Sequence, residues 1–345
     1  MMENASILSE GVFSTTYGKT ANGLVRYSKR YKISSVIDSR YAGKDSGTVL
    51  SGKANNIPIV SNVEESIAHG AGTLIVGIAS DGGILPESYR PYIRTAINYG
   101  MNIVSGLHEF ISDDPEFSKL AARSKSKIID VRKLFKDKKY FFTGKINDVK
   151  AKKIAVLGTD SAIGKRTTAI YLNRAMNTIG KKSVMIGTGQ TSWMQGFRYT
   201  VVMDAIVNDF VAGALESVTV DAWNRERPDY IFVEGQGSIL HPAYPGGFEI
   251  IGATRPDAII LQHAPMRKYF DGFEGYQIPP LDKYIKILEL LSNKRVIAIA
   301  LNTENMNESM IKEEKSRLES VYGIPVFDPL QRLSNVTREI DSATL

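Results

Sequence analysis

Short apolar runs alternate with amphipathic stretches along the chain, a pattern that predicts α/β domains built on parallel sheets. In the first half, runs rich in β-branched residues predict strands at 33–38, 73–77, 102–104 and 127–131. Between these runs, apolar residues at helical spacing predict helices at 20–30, 63–69, 86–99 and 115–124. This half of the chain therefore predicts a small doubly wound domain.

The second half repeats the pattern on a larger scale. Six further strands are predicted, at 153–157, 183–187, 230–234, 258–262, 295–301 and 325–327. A helix that opens near Gly164 carries one apolar stripe and ends at Gly180, and another amphipathic helix starts at Leu281. The periodicity blurs between residues 135 and 149, so we expect the domain boundary there. The predicted fold class is α/β, with two doubly wound parallel-sheet domains at 1–140 and 141–345.

The composition favours a soluble, folded protein. Of the 345 residues, 43% are hydrophobic and 23% are charged, which is ordinary for globular domains and excludes disorder as the main state. No apolar run approaches the ~18 residues that a membrane helix requires, and the first residues lack the basic cluster of a signal peptide. Cysteine is absent, which excludes disulfides, cysteine-zinc sites and thiol nucleophiles. We expect a cytoplasmic protein that forms homo-oligomers and has no membrane partner.

The net positive charge of the chain comes from one segment. The chain has a net charge of +6, but residues 119–153 hold thirteen Lys or Arg against three acidic residues, a net +10 that leaves the rest at −4. Such a segment is most often a solvated junction. The alternative is that part of it draws an anionic cofactor toward a binding site.

The most informative segment lies between the strand at 153–157 and the helix that follows it. Its residues are Gly158, Thr159, Asp160, Ser161, Ala162, Ile163, Gly164, Lys165, Arg166, Thr167 and Thr168. A strand, a glycine-containing loop and a Gly-Lys pair at the start of a helix are the context of a phosphate-binding loop. Backbone N–H groups and the helix N-terminus attract anions there, and Lys165 neutralises phosphate oxygens. The segment predicts a phosphate-binding loop at the start of the second domain.

Two departures from G-x-x-x-x-G-K-[ST] leave the ligand open. Thr159 stands where the first glycine is expected, and Arg166 replaces the hydroxyl residue that normally ligates Mg²⁺. Thr167 is the next hydroxyl, but it is rotated by ~100° around the helix, and it is a metal ligand only if the loop holds a Mg-nucleotide. One candidate cofactor is therefore ATP with Mg²⁺. The other is a pyrophosphate that needs no catalytic metal, such as coenzyme A.

Polar residues at the ends of neighbouring strands are candidate catalytic and substrate-binding groups, because those ends face the ligand crevice in open α/β sheets. Glu234 is a candidate general base, a ligand of a metal-bound water, or a carboxylate that stabilises the turn. His241 follows in a loop rich in Pro and Gly, as a candidate for proton transfer or for a hydrogen bond within the loop. Thr188 and Gln190 are candidate substrate ligands or turn residues.

The first half carries weaker signals. Gly18-Lys19-Thr20 imitates a phosphate loop, but Phe13 occupies the required first position. Asp38 ends a strand, as the ribose-binding acid of dinucleotide sites does, yet no G-x-G-x-x-G motif accompanies it. We therefore expect a degenerate, structural Rossmann-like domain.

Several longer motifs resemble those of the D-glutamate N-acetyltransferase-like family, long catalogued as a domain of unknown function. They are KTANGLVRYSKR, VIDSRYAGKDSG and GIASDGGILP in the first half, and GTDSAIGKRTTA, MIGTGQTSWMQG and VEGQGSILHPAYPG in the second. The resemblance spans nearly the whole chain. It implies a Rossmann-like domain followed by a P-loop NTPase-fold domain, and acetyl transfer from acetyl-CoA to the amine of D-glutamate. The second half is also similar to dethiobiotin synthetase, an ATP-dependent enzyme, in which the position matched by Asn302 recognises adenine.

The first function we expect is transfer of an acetyl group from acetyl-CoA to the amino group of an acidic amino acid. The phosphate loop would bind the pyrophosphate of the donor, and His241 or Glu234 would take the proton of the amine. Because the chain has no cysteine, an acetyl group cannot be carried on a protein thiol, which favours direct attack of the amine on the thioester. Arg198 and Arg255 are candidate ligands of the substrate carboxylates.

Two other functions stay open. One is an ATP- and Mg²⁺-dependent ligase or kinase that acts on a small carboxylate, with Asp160, Thr167 and Glu234 arranging the metal. The other is a nucleotide-binding regulatory protein or a nucleic-acid-binding module that uses the basic segment, whose aromatic residues at 140–142 can stack on bases. No nucleic-acid-binding fold is recognisable, so we do not expect nucleic acid as a partner.

Overall fold

The computed structural model describes residues 2–331 and 333–343 and divides into two compact units. The first unit comprises the chain up to Lys138 together with Gly189–Arg198 and Asp204–Ile206. The second unit comprises Lys139–Thr188, Tyr199–Met203 and the chain from Val207 onward. Two short segments from the second half of the sequence therefore belong to the first unit.

The first unit is a six-stranded parallel sheet with helices. Its strands are β1 (Glu3–Leu8), β2 (Tyr31–Ile37), β3 (Ile59–Val60), β4 (Thr73–Val76), β5 (Asn102–Ser105) and β6 (Ile128–Asp130), in the order β3-β2-β1-β4-β5-β6. Its helices up to Lys138 are α1 (Lys19–Tyr27), α2 (Ser46–Ser51), α3 (Val63–Ala68), α4 (Arg90–Asn98), α5 (Pro115–Ser124) and α6 (Lys133–Lys136). This order is that of a doubly wound Rossmann-type sheet.

The second unit contains a seven-stranded parallel sheet in the order β15-β14-β11-β7-β10-β8-β9. These strands are β7 (Lys152–Gly158), β8 (Ser183–Gly187), β9 (Tyr199–Thr200), β10 (Tyr230–Glu234), β11 (Ala258–His263), β14 (Val296–Leu301) and β15 (Val326–Phe327). A separate antiparallel hairpin consists of β12 (Tyr269–Phe270) and β13 (Phe273–Gln277). The α/β fold class with two parallel-sheet domains is therefore confirmed.

The helices of the second half complete the two units. They are α7 (Lys165–Thr178), α8 (Gln190–Gln195), α9 (Asn208–Glu226), α10 (Phe248–Thr254), α11 (Leu281–Ser292), α12 (Glu308–Tyr322) and α13 (Ser334–Ala343). Of these, α8 belongs to the first unit. No helix in the described parts of the chain combines the length and the apolar character that a membrane crossing needs.

Each of the ten predicted strands overlaps an observed strand, with ends shifted by at most two residues. The sequence pattern failed to predict β1, β3, β9, β12 and β13. The omission of β1 has a physical reason: this central strand contains the small polar Ser6, which breaks the apolar run. Ser6 is fully buried and pairs with Ser35, whose Oγ donates to Ser6 Oγ at 2.8 Å. The predicted helix at 86–99 also starts late, because a 3₁₀ turn at Glu87–Tyr89 precedes α4.

Candidate active site

The phosphate loop connects β7 to α7 in the second unit. β7 ends at Gly158 and α7 begins at Lys165, with residues 159–164 between them. Gly164 has a φ of +100°, which favours glycine, and it directs the loop into the helix. A Cβ on Gly158 would lie 2.9 Å from Lys165 Cδ and 3.0 Å from Ile163 Cδ1. Glycine at these two positions therefore lets the loop close around the lysine side chain.

Lys165 lies inside the curve of this loop. Its side chain is buried, and its stem passes beside Gly235, where a Cβ would lie 2.9 Å from Lys165 Cδ. Lys165 Nζ donates a hydrogen bond to Asp160 O at 2.6 Å. The ammonium group is thus held at the loop, where a bound phosphate would meet it.

Arg166 and Glu234 form an ion pair at the end of β10. Arg166 Nε donates to Glu234 Oε1 at 2.7 Å, and Glu234 is only 2% exposed. Thr188 N donates to the other carboxylate oxygen, Oε2, at 3.0 Å, and Thr188 Oγ1 donates to Glu234 O at 3.0 Å. β10 lies between β7 and β8 in the sheet. The carboxyl ends of three adjacent strands therefore bring these predicted site residues together.

The donor set at this position does not fit Mg²⁺. In nucleotide-binding phosphate loops the metal is held by the hydroxyl that follows the lysine and by a carboxylate on a nearby strand. Here a guanidinium follows the lysine and is already bonded to the carboxylate of Glu234. Thr168 donates to Gln262 Oε1, which leaves the partly buried Thr167 as the remaining hydroxyl of this turn.

Asp160 is fully buried and ties the loop to the β12–β13 hairpin. Asp160 Oδ2 accepts from Arg267 Nη1 at 2.9 Å and from Asp271 N at 3.1 Å. Ser161 Oγ donates to Asp271 Oδ2 at 2.8 Å. Because the Asp160 carboxylate is already neutralised by an arginine, its arrangement favours a role in shaping the loop over one in arranging a metal.

His241 is buried with its ring fixed by the backbone of its own loop. His241 Nδ1 accepts from Ala243 N and Tyr244 N, both at 3.1 Å, so the neutral ring carries its proton on Nε2. Nε2 lies 3.5 Å from Asp160 Oδ1. Burial lowers the pKa of His241, and the nearby Asp160 carboxylate opposes part of that shift. In this conformation the ring nitrogen that accepts is already in use, which favours a positioning role over that of a general base.

Two further contacts hold the loop from β11 and β14. Thr159 Oγ1 lies 3.2 Å from His263 Nδ1 at the end of β11. Asn302 follows β14 and donates from Nδ2 to Ile163 O at 3.1 Å. Asn302, for which the resemblance implies contact with adenine, therefore supports the backbone of the loop in this structure.

The candidate substrate ligands fall in different places. Thr188 lies in the second unit beside Glu234, whereas Gln190 and Arg198 belong to the first unit. Arg255 is an exposed residue in the left-handed conformation at the end of α10, and its Nη1 lies 3.5 Å from Asn147 Oδ1. Of the two candidate arginines, Arg198 therefore belongs to a different unit from the loop, and Arg255 contacts Asn147.

Arg267 contacts the loop, and sequence reasoning missed it. It donates to Asp160 Oδ2 at 2.9 Å and to Ser161 O at 3.0 Å. A signal was present in the sequence, because Arg267 follows β11, and residues after parallel strands face the ligand crevice. The antiparallel hairpin that follows Arg267 and contacts the loop through Asp271 was not predicted either.

The fold and the loop define a two-unit α/β protein with a Rossmann-like sheet and a P-loop domain. Residues 39–134 match the family described as "Domain of unknown function (DUF1611_N) Rossmann-like domain", and residues 140–337 match "Domain of unknown function (DUF1611_C) P-loop domain". The chain belongs to this DUF1611 family. The resemblance noted from the sequence motifs is confirmed.

Curated relatives and a solved structure agree with this assignment. The chain is 32% identical over 273 residues to a protein of Pseudoalteromonas sp. named D-glutamate N-acetyltransferase, covering 77% of this chain and 80% of that protein. It is 30% identical over 276 residues to a protein of the same name from Tritonibacter scottomollicae, with the same coverage. A crystal structure of a DUF1611 family protein from Anabaena variabilis is 30% identical, with a TM-score of 0.91 over 99% of each chain.

Proposed function

We propose that this protein is an N-acetyltransferase that transfers the acetyl group of acetyl-CoA to the amino group of an acidic amino acid, with D-glutamate as the first acceptor to test. The observation that carries the proposal is the Arg166–Glu234 ion pair at the phosphate loop. It supports binding of a pyrophosphate by fixed cations, without the metal on which phosphoryl transfer depends. The names of the two curated relatives support the acyl chemistry and the acceptor.

The residues of the loop fit a coenzyme A pyrophosphate. Lys165 supplies a positive charge at the start of α7, Arg166 adds a guanidinium that is held in place by Glu234, and the helix N-terminus adds backbone N–H donors. The thioester supplies the activated acetyl group. The protein's contribution is to hold the donor and to place the acceptor amine against it.

Glu234 takes the proton of the amine in this proposal. The amine nitrogen forms a bond to the carbonyl carbon, the carbon–sulfur bond breaks, and the proton passes through the Glu234 carboxylate to the leaving thiolate. A carboxylate has several lone-pair sites, so it can accept a proton while it keeps other contacts. His241 is a positioning residue, because its Nδ1 holds two backbone amides and its Nε2 faces Asp160.

Release of coenzyme A provides a direct test. Because the chain has no cysteine, a thiol-reactive chromogenic reagent responds only to the coenzyme A that is released. We expect coenzyme A to be released from acetyl-CoA when D-glutamate is present, at the same rate with Mg²⁺ and with excess EDTA. Parallel assays with L-glutamate and with D-aspartate test which stereochemistry and which chain length the acceptor must have. Turnover of ATP with Mg²⁺ and a carboxylate, without coenzyme A release, would overturn the proposal.

Two variants and a control test the roles proposed for Lys165 and Glu234. Lys165→Ala should raise the KM for acetyl-CoA by roughly tenfold or more, because it loses a charge-assisted contact with phosphate. Glu234→Gln should lower kcat by roughly 100-fold or more, because an amide cannot take the proton. Glu313→Gln, an exposed glutamate on α12, is the matched control and should leave both constants unchanged.

A further inference from the structure

A cavity of about 480 Å³ opens beside the phosphate loop in the second unit. Two of its lining residues contact the loop directly. Arg267 donates to Asp160 and Ser161, and His263 lies 3.2 Å from Thr159 Oγ1. A ligand held on the loop can therefore extend into this cavity.

The described residues that line this cavity include three cations, Arg267, Lys268 and Arg317, and no acidic side chain. Arg317 is oriented by two hydrogen bonds to the Glu314 carboxylate, at 2.8 and 2.7 Å. Lys268 is exposed, and no described residue pairs with its ammonium group. A lining of this kind attracts an anionic group, and Lys268 is the cation best able to bind it.

The rest of the lining and its size indicate a flat, partly apolar ligand. Tyr269, Tyr322, Pro279 and Pro280 all contribute to the walls, and the aromatic rings of tyrosines can stack on planar groups. The volume falls within the range of roughly 300–1,000 Å³ that holds drug-sized ligands. That is more than a five-carbon amino acid would fill, so the cavity suits the far end of a long ligand better than the acceptor.

We propose that this cavity binds the 3′-phosphoadenosine end of coenzyme A, with Lys268 as a ligand of the 3′-phosphate. The inference rests on the proposed function, because it takes coenzyme A as the donor. It explains why cations line a cavity that lies next to a loop already supplied with cations of its own. ATP carries no 3′-phosphate, so the cavity also gives the protein a means of preferring coenzyme A over ATP.

The test compares coenzyme A with dephospho-coenzyme A, which lacks only the 3′-phosphate. Binding of each to the full-length protein is measured by isothermal titration calorimetry for the unaltered chain and for Lys268→Ala, Lys268→Glu and Lys283→Ala. Lys283 is an exposed lysine of α11 that does not line the cavity, so it is the matched control. We expect Lys268→Ala to weaken coenzyme A binding by roughly tenfold, and Lys268→Glu by more, with dephospho-coenzyme A and the control unaffected.

Other results would overturn this inference. Equal affinity of the unaltered and Lys268 variants for coenzyme A would remove Lys268 from the site, and equal weakening of both ligands would show a general effect on the loop. If the Lys268 variants raised only the KM for the acidic acceptor, the cavity would be assigned to the acceptor carboxylate. If the unaltered protein bound neither form of coenzyme A, the donor assignment in the proposed function would fail as well, and that failure is recognisable without any variant.

Discussion

The residue after the phosphate-loop lysine decides how the neighbouring carboxylate is neutralised. A hydroxyl at that position leaves the carboxylate to a metal ion, whereas Arg166 brings a positive charge attached to α7. A guanidinium stays charged at any pH that a protein tolerates. The positive charge of Arg166 therefore depends neither on metal concentration nor on pH, which fits a donor that is bound as its pyrophosphate and is not hydrolysed there.

Arg166→Met tests the strength of this ion pair. It leaves the Glu234 carboxylate buried beside an apolar side chain, and we expect the free energy of unfolding to fall by about 3 kcal/mol. Arg166→Met combined with Glu234→Gln should recover most of that loss, because no unpaired charge is then buried. Urea denaturation in a Trp193→Phe background, where Trp223 on α9 is the remaining tryptophan, reports on the second unit.

The control for this cycle is Arg174→Met, an exposed arginine on the same helix. It should change the free energy of unfolding by less than about 0.5 kcal/mol. If the double variant were no more stable than Arg166→Met alone, the coupling of Arg166 to Glu234 would be rejected.

For individual residues, the sequence predicted which side chains lie at the site better than it predicted which groups those side chains contact. Lys165, Arg166 and Glu234 follow from the order of strand, loop and helix and from the ends of neighbouring strands. The ion pair does not follow, because its partners are 68 residues apart in the sequence. The hydrogen bonds of His241 Nδ1 could not be predicted from the sequence either, because they depend on the local backbone of a loop with no regular pattern.

At the scale of the elements, α9 is the helix on which the first segment of the second unit packs. A Cβ on Gly213 would lie 2.2 Å from Tyr140 O, so the segment after Lys139 packs directly on the helix backbone. One turn further along, the buried Glu216 accepts from Thr143 N at 2.6 Å and from Ile146 N at 3.1 Å. The segment between the two sheets is therefore docked on α9 by close packing and by a buried carboxylate.

Gly213→Ala should loosen this docking. The added methyl group overlaps the Tyr140 carbonyl, and we expect a loss of about 1–3 kcal/mol in the stability of the second unit. Limited trypsin digestion should cleave after Lys139 or Lys145 several times faster than in the unaltered protein. Gly252→Ala is the matched control, because a Cβ on Gly252 in α10 would have no atom within 4 Å, and alanine there is neutral or stabilising. Equal digestion of the two variants would contradict the docking.

Four of the five strands that the sequence patterns missed share a physical cause, the exception being β1 with its buried Ser6. β3, β9 and β12 are two residues long and too short to show alternation, and β13 has exposed residues at four of its five positions. Such strands are defined by what they pair with and carry little hydrophobic signal of their own. The long parallel strands were predictable because burial on both faces makes them continuous apolar runs.

For the molecule as a whole, the basic segment at residues 119–153 is less exceptional than its net charge suggests, because some of its cations pair with distant acidic residues. It is divided between the two units, with residues up to Lys138 in the first and those from Lys139 in the second. Arg132 pairs with Asp204, and Lys153 pairs with Asp257 at 2.9 Å. These acidic partners lie 72 and 104 residues away, so a count of local charge cannot include them. The idea that the segment draws in an anionic cofactor stays a prediction.

Acid should destabilise the folded molecule before most carboxylates titrate. Burial lowers the pKa of His108, His241 and His263, in the last case to about 4. Each ring therefore takes a proton at a lower pH in the folded state than in the unfolded state, where its ordinary pKa is ~6.5. At pH values between the lowered pKa of the folded state and the ordinary pKa of the unfolded state, the unfolded state binds more protons. The free energy of unfolding therefore falls as the pH is lowered through this range and recovers as the pH is raised.

His263→Gln should therefore flatten the acid response of the second unit. The loss that His263 causes between pH ~6.5 and ~4.5 is about 1–2 kcal/mol, because each unit of pKa difference is worth at most about 1.4 kcal/mol and the ring is only partly buried. Urea denaturation of the Trp193→Phe protein at several pH values, with and without His263→Gln, measures the difference in slope. His69→Gln, an exposed histidine of the first unit, is the control and should follow the unaltered protein. If His263→Gln kept the full acid sensitivity, the neutral His263 beside Thr159 would not be its source.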